Sequence, residues 1–467
     1  MRLRFAERVS AAELERLRLV ARLAAQLGTP AWLVGGSVRD AWLGHASLDL
    51  DVTVEGDPLP LAQGLAEALG GKLTHHERFG TTVIEAGEYH LDVATARRET
   101  YPCPGALPAV EPASLDEDLR RRDFTVNAMA LRLDADLDTV YDPLDGCGDL
   151  DARIIRGLHE ATFRDDPTRI IRAARYAARL GCALAAQTES WLRSAIGDGA
   201  LATVTGTRLW QELRRLLWEE TAPDGLALLE GWQALPALGL CPPRAGELRE
   251  LYASVASHKK APLTESGGVA SCATGPADLY RGKSAGPVAH DATPPDSTVR
   301  ELLGHDTRDG RQAVPASDDE RALAALGLLA VEAEALAESF GLSAEERRAV
   351  VAAARLAADP PPCVFAASPK SSTLYEALLG LPWPALLALW TRHPGSRSAL
   401  QTYGALVGVR SDINGQDLQR LGFAPSAGFA VALQAALRVK LDDHANQDEQ
   451  LAVAREALVQ WQTQRGL

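Results

Sequence analysis

Residues 10–27 set Leu14, Leu17, Val20, Ala24 and Leu27 three and four positions apart, the stripe of a helix buried on one side, with Ser10 placed to cap it. A short apolar run, 31–34, ends in Gly35-Gly36, and helical spacing resumes over 38–43. From 48 to 54 charged and apolar residues alternate with period two, which predicts a strand. Segments 81–84 and 89–94 read as a hairpin around Gly87, and apolar periodic sequence follows over 119–133. Beyond about 151 period two gives way to helical spacing at 154–180, 188–196 and 208–220. Between 254 and 319 Ser, Gly, Pro, Thr and His displace the periodicity, as in a flexible linker or insertion. Helices return from 320; Ser343 and Glu346 form a capping-box pattern, and Trp383 and Trp390 mark a further helical pair. The pattern predicts an α+β chain: a mixed sheet with helices over 1–150, a helical neck over 151–253, the linker 254–319, and a helical body and tail over 320–467.

Composition changes this picture little. The richest apolar stretch, 322–336, is interrupted by Glu332 and Glu334, so no membrane span of roughly 18 apolar residues is expected. The N-terminus lacks a signal-peptide core. Six cysteines stand far apart with no CxxC pair, which argues against a zinc ribbon or a disulfide framework and fits reduced thiols in a cytoplasmic protein. A net charge of −14 argues against a protein that coats nucleic acid. Of 48 basic residues 42 are Arg, a bias that a GC-rich genome explains and that also suits forked phosphate contacts.

Candidate chemistry enters with Asp49-Leu50-Asp51 on the expected strand. Residues two apart share a strand face, and paired carboxylates are hard-oxygen donors for Mg²⁺. Upstream, Gly35-Gly36 stands between strand and helix, where backbone N–H groups approach phosphates. Arg39 adds a charge for phosphate, or forms an ion pair with Asp40. Asp92, on the second strand of the hairpin, offers a third carboxylate. Three acids on adjacent strands suit two-metal in-line nucleotidyl transfer.

The run Leu33-Val34-Gly35-Gly36-Ser37-Val38-Arg39-Asp40, then Asp49-Leu50-Asp51, then Arg121-Arg122-Asp123-Phe124-Thr125-Val126-Asn127-Ala128 resembles the class II tRNA nucleotidyltransferases, whose patterns bacterial poly(A) polymerases share. The likeness continues through Asp142-Pro143-Leu144-Asp145-Gly146, Asp165-Asp166-Pro167-Thr168-Arg169 and Arg172-Ala173-Ala174-Arg175-Tyr176, covering roughly residues 30–220. A weaker echo lies at Asn414-Gly415-Gln416-Asp417-Leu418. The resemblance implies a polymerase-β-like nucleotidyltransferase head followed by an all-helical neck, body and tail. It implies that Asp49, Asp51 and Asp92 bind the metal, although the family often has Glu in place of Asp92. It also implies that Arg121, Arg122, Asp123 and Asn127 belong to the motif that contacts ribose and phosphates.

The resemblance further implies that Asp166 and Arg169, three apart on an expected helix, act as a side-chain template. Cytosine and adenine each set an amine donor beside a ring-nitrogen acceptor, which a carboxylate and a guanidinium match; guanine and uracil reverse the order. A plain helical ion pair between the two is the other reading. Arg169, Arg172, Arg175 and Arg179 line one helix face, and 151–215 holds eleven Arg against seven acids, a basic surface for triphosphate and primer. The 97–114 loop carries Pro102, Pro104, Pro108 and Pro112; its length, with the resemblance, favours competence for A, while the family's pair of basic residues is missing from it. His290-Asp291 and His305-Asp306 lack the spacing of a phosphohydrolase site. The expected protein completes the 3′-terminal CCA of tRNA from CTP and ATP, in full or by its last A. It does so with Mg²⁺ and with no membrane or obligate protein partner. A poly(A) polymerase, or a non-catalytic RNA-binding module, are the alternatives.

Overall fold

A computed structural model describes residues 5–45, 49–76, 80–87, 89–133, 137, 139–255 and 317–465. The chain divides into two compact units, Met1–Pro242 with Ala335–Leu342, and Pro243–Glu334 with Ser343–Leu467.

The first unit opens with helix α1 (Ala11–Leu27), capped by Ser10 and Glu13 in a reciprocal capping box. Leu17, Val20 and Ala24 are buried as expected, but Leu27 is 47% exposed because the buried stripe ends one turn earlier. Next come β1 (Ala31–Val34), α2 (Gly36–Trp42), β2 (Asp49–Val54), α3 (Leu59–Leu69), β3 (Lys72–His76), β4 (Thr81–Ala86) and β5 (Tyr89–Thr95). The β4–β5 hairpin falls where the alternation placed it. With β8 (Ala130–Arg132) and β9 (Val140–Tyr141) these strands form one sheet of order β3-β4-β5-β2-β1-β8-β9. Only β2 and β5 are parallel; every other pair is antiparallel.

Register decides what each face carries. Leu50, Leu91 and Ile84 lie side by side across β2, β5 and β4, all buried. One residue further along, Asp51 and Asp92 are register partners, so strand alternation puts both on the opposite face. α1 and α3 supply Leu17, Val20, Leu61 and Leu65 to the core, and α3 packs on β3, β4 and β5.

The proline-rich segment 97–114 is more ordered than its composition suggests. Its stems pair as β6 (Arg97–Thr100) and β7 (Ala109–Pro112). Three of the four prolines fall outside the ladder and Pro112 ends it, so no interior donor is lost. Then follow α4 (Leu115–Arg120), α5 (Gly146–Asp151), β10 (Ile154–Ile155), α6 (Thr162–Asp165), α7 (Arg169–Leu180), β11 (Ala183–Leu184), α8 (Ala186–Gly197), α9 (Gly206–Trp218) and α10 (Ala222–Gly231). The expected 154–180 helix is therefore interrupted, and β10 and β11 form a small parallel pair within the otherwise helical region. Pro167 explains the break. It disfavours helical backbone at the residue before it, and Asp166 sits at φ −133°, ψ 91°.

The second unit is helical throughout its described residues. Ser343 and Glu346 close the expected capping box on Ala344–Ala358. Trp383 and Trp390 share one helix, Trp383–Arg392, rather than marking two. Near the end of the chain Leu418, Ala432, Ala436, Ala454 and Leu458 form a small core of their own. Among the described residues no helix is long and apolar enough to cross a membrane. The expectations for 254–319, apart from its ends, and for His290 and His305 lie outside the described residues.

Candidate active site

A cavity of about 370 Å³ opens in the first unit, a size at the lower end of the roughly 300–1,000 Å³ of small-ligand sites. The sheet contributes Asp51, α2 contributes Gly36 and Arg39, and the segment after α4 contributes Arg121, Arg122, Asp123 and Asn127. Asp166, Arg169, Arg172, Arg175 and Arg179 also line it. Seven arginines face four carboxylates around it, so the cavity is basic within an acidic chain. Twelve of the fifteen residues singled out in the sequence, Arg179 among them, thus meet in one place. Of the other three, Asp92 stands beside Asp51 on the neighbouring strand, Asp49 is two residues from Asp51 on β2, and Gly35 lies next to Arg122 without lining the cavity.

Gly35 does not offer its amide to a ligand. Its N–H donates to the carbonyl of Met129 at 3.0 Å. Its requirement for glycine comes from backbone and space: φ is +69°, and a Cβ would come within 2.7 Å of Arg122 Nη1. Gly35→Ala is expected to cost about 1–3 kcal/mol of stability and to push Arg122 out of position. Chemical denaturation of the variant checks the first, and a midpoint unchanged from wild type would contradict it.

The charged run before Asp123 is built rather than solvated. Asp118 is fully buried and accepts from Arg121 Nη2 at 2.7 Å and from Arg122 Nη2 at 2.9 Å. Burial pushes its carboxyl up, but the Arg122 and Arg121 guanidiniums together outweigh that and hold it below the usual carboxylate range. Glu99, from β6, accepts from Arg121 Nη1 at 2.8 Å. Arg39 is buried and forms the ion pair with Asp40, 2.8 Å, while donating to Asn127 Oδ1. Ion pairing and cavity lining are thus combined in one side chain.

Asp123 is engaged on both oxygens. Oδ1 accepts from the Phe124 N–H at 2.8 Å and Asn127 Nδ2 at 2.9 Å; Oδ2 accepts from Arg172 Nε at 2.9 Å and Nη2 at 2.6 Å. Four donors fill the usual capacity of a carboxylate, so its evident work is to aim Arg172. Burial raises its pKa, but Arg172, the Asn127 hydrogen bond and Arg169 bring it down to about 2. A depressed carboxylate adds stability that is complete above its unfolded value and lost as pH falls through the folded one. Asp123→Asn should therefore destabilise the protein by about 2 kcal/mol at neutral pH, with the deficit shrinking between about pH 4 and pH 2. Unfolding free energies of both proteins across that range test it; a constant deficit would contradict it.

Tyr176, which the sequence reading quoted without a role, organises the arginines. Its ring lies 4.8 Å from Arg175 Cζ, 5.2 Å from Arg39 and 5.4 Å from Arg172. Its hydroxyl accepts from Arg172 Nη2 and Arg175 Nη2 at 3.2 and 3.3 Å. Its position four residues after Arg172 on the same helix was the available signal.

Asp166 and Arg169 are not on one helix, and they do not pair with each other. Asp166 ends the turn before Pro167, and its Oδ1 accepts from the Thr168 N–H at 3.2 Å, Thr168 Oγ1 at 2.7 Å and Arg208 Nη2 at 3.0 Å. Arg169 begins α7, buried, and donates from Nη1 to Thr162 Oγ1 at 2.7 Å and from Nη2 to the Arg121 carbonyl at 2.9 Å and Tyr101 Oη at 3.5 Å. Among the described residues, this leaves Asp166 Oδ2 as an acceptor and Arg169 Nε as a donor without hydrogen-bond partners. Glu99 and Tyr101 also line the cavity, and Arg208 of α9 stands behind Asp166; the positions of all three depend on the β6–β7 hairpin and on α9, which no local spacing reports.

Asp51 and Asp92 fit a divalent cation by donor chemistry, as hard oxygens on adjacent parallel strands. Among the described residues no group of three metal-ligating side chains forms, and the Asp49 side chain is not among them.

Residues 31–156 match the family described as the Poly A polymerase head domain. The A-adding tRNA nucleotidyltransferase of Aquifex aeolicus (strain VF5) is 44% identical over 206 residues, 44% of this chain and 25% of that one. The CC-adding tRNA nucleotidyltransferase of Deinococcus radiodurans is 41% identical over 213 residues, 44% of this chain and 56% of that one. The chain thus spans between a quarter and just over half of the length of these relatives. A solved CCA-adding enzyme in an apo form superposes with a TM-score of 0.72 at 25% identity, covering 97% of both chains. The resemblance stated from the motifs, and the mixed-sheet head followed by a largely helical region, are borne out.

Proposed function

We propose that the protein is a template-independent RNA nucleotidyltransferase that builds or completes the 3′-terminal CCA of tRNA from CTP and ATP. The observation that carries this is the cavity lining itself: an acceptor and a donor left over on Asp166 and Arg169, in the same cavity as Asp51 and a cluster of arginines. An incoming C or A would give its amine to Asp166 Oδ2 and take a hydrogen bond on its ring nitrogen from Arg169 Nε. Arg39, Arg172 and Arg175 would balance the triphosphate charge. The primer 3′-hydroxyl then attacks the α-phosphorus, and pyrophosphate leaves as the bond to the β-phosphate breaks. Asp49, Asp51 and Asp92 would hold Mg²⁺, which supplies charge stabilisation at the transferring phosphoryl group. We read 1–150 as head, 151–253 as neck, 254–319 as linker and 320–467 as the body and tail that grip tRNA, in the cytoplasm.

The test is to offer each nucleotide alone to tRNA lacking its last A, to complete tRNA and to an oligoadenylate primer. Incorporation of A on the first alone supports the reading. Repeated addition to the oligoadenylate would favour poly(A) polymerase, and no incorporation anywhere would favour a binding module.

A further inference from the structure

One guanidinium ties the Asp166 carboxylate to a different element of the fold. Arg208, on α9, donates through Nη2 to Asp166 Oδ1 at 3.0 Å and through Nη1 to the Gly105 carbonyl at 2.6 Å. Gly105 lies in the connection between β6 and β7 and is locked into the neck. Its N–H lies 3.2 and 3.3 Å from the carbonyls of Arg164 and Asp165, its φ is +73°, and a Cβ on it would come within 2.2 Å of Thr203 Oγ1. The same connection supplies Tyr101, whose hydroxyl meets Arg169 Nη2. Both halves of the cavity wall that faces the base are thus in touch with the β6–β7 segment.

Three donors crowd Asp166 Oδ1, but they are not equivalent. The two from Thr168 belong to the same turn and move with Asp166. Arg208 alone comes from a separate helix, so it alone fixes the carboxylate relative to the rest of the cavity. A planar fork spans a carboxylate and a carbonyl at once, which a lysine ammonium on a flexible stem does not reproduce.

We infer that Arg208 is a specificity-determining positioning residue: it pins Asp166 Oδ1 to the docked β6–β7 tip, so that Oδ2 faces the incoming base and nucleotide choice depends on that docking. The inference rests on the reading of Asp166 and Arg169 given above. Without Arg208 the carboxylate turns about its own side-chain bonds. The amine of C or A then loses a fixed acceptor, and the carbonyl of U or G no longer meets a fixed negative charge. Selectivity falls, beyond any general loss of rate.

The experiment measures kcat/KM for ATP, CTP, UTP and GTP on tRNA lacking its terminal A. The proteins compared are the wild type, Arg208→Ala, Arg208→Lys, Gly105→Ala and the Arg208→Ala/Gly105→Ala double variant. Preference for ATP over UTP and GTP should fall about tenfold in Arg208→Ala, the loss of one hydrogen bond to a charged group. Arg208→Lys should not restore it, and it keeps the test readable if the alanine variant folds poorly. Gly105→Ala should lower the same preference, and the double variant should lose no more selectivity than the more affected of the two single variants, because both changes break one link. Nucleotide ratios unchanged in Arg208→Lys and Gly105→Ala, with all four rates lowered alike, would overturn the proposal and leave Arg208 a structural ion pair. Additive losses in the double variant would also overturn it, since the link would then not be shared. A wild-type protein that adds no nucleotide to this tRNA would overturn the reading of the cavity, and this inference with it.

Discussion

Asp51→Ala is expected to abolish nucleotide addition, with a loss of more than about a thousandfold, while tRNA binding stays nearly intact. Charge stabilisation by a bound divalent ion is worth several kcal/mol at a transferring phosphoryl group, and no neighbouring side chain replaces that. Asp51 lines the cavity and is the register partner of Asp92 across the one parallel pair of the sheet. Its removal leaves the apolar face of β2, carrying Leu50, Val52 and Val54, untouched. Single-turnover addition at saturating Mg²⁺, beside a tRNA-binding titration, separates the two effects. A variant that keeps a tenth of the wild-type rate would remove Asp51 from the chemistry. Asp49→Ala is expected to behave in the same way.

Arg169→Ala should change which nucleotide is chosen as well as how fast. Discrimination of ATP and CTP against UTP and GTP is expected to drop by about 1–3 kcal/mol, the value of the two-point base contact that Arg169 shares with Asp166. Part of the rate loss has a separate origin. Arg169 also donates to Thr162 and to the Arg121 carbonyl, so its removal loosens the joint between α6, α7 and the segment after α4. Stability should fall with it, which is why the ratio among the four nucleotides is the informative quantity. Four kcat/KM values reduced by one common factor would reduce Arg169 to that joint.

Much of the site was legible because its signals are local. Period two over β2 placed Asp51 on a strand face, and the apolar stripe of α1 set its buried side. The paired glycines marked a turn correctly, but for a reason other than the one their spacing suggested. Gly35 is needed for its positive φ and for Arg122, and its amide is used by Met129. Spacing alone misplaced Asp166, since three residues to Arg169 looked like one helical turn until Pro167 is given its steric effect on the residue before it. Asp118 was hidden in a charged run that looks solvated. Its burial follows from two arginines three and four residues on, whose other contacts come from Glu99 and Asn127. Tyr101 and Glu99 reach the cavity through a hairpin, and Arg208 reaches Asp166 from a helix distant in sequence; no window of neighbouring residues contains that information.

The most direct test of the central claim is the sequence of the product ends. Three tRNAs, one lacking the whole CCA, one lacking only the final A and one complete, are incubated with the protein, Mg²⁺ and all four nucleotides, and their 3′ termini are sequenced. The account predicts that the tRNA lacking its final A gains a single A and the complete tRNA gains nothing. It predicts that growth on the shortest tRNA, where it occurs, proceeds by C and C before A. Incorporation of U or G, a tail of many A residues, or three unchanged populations would contradict it.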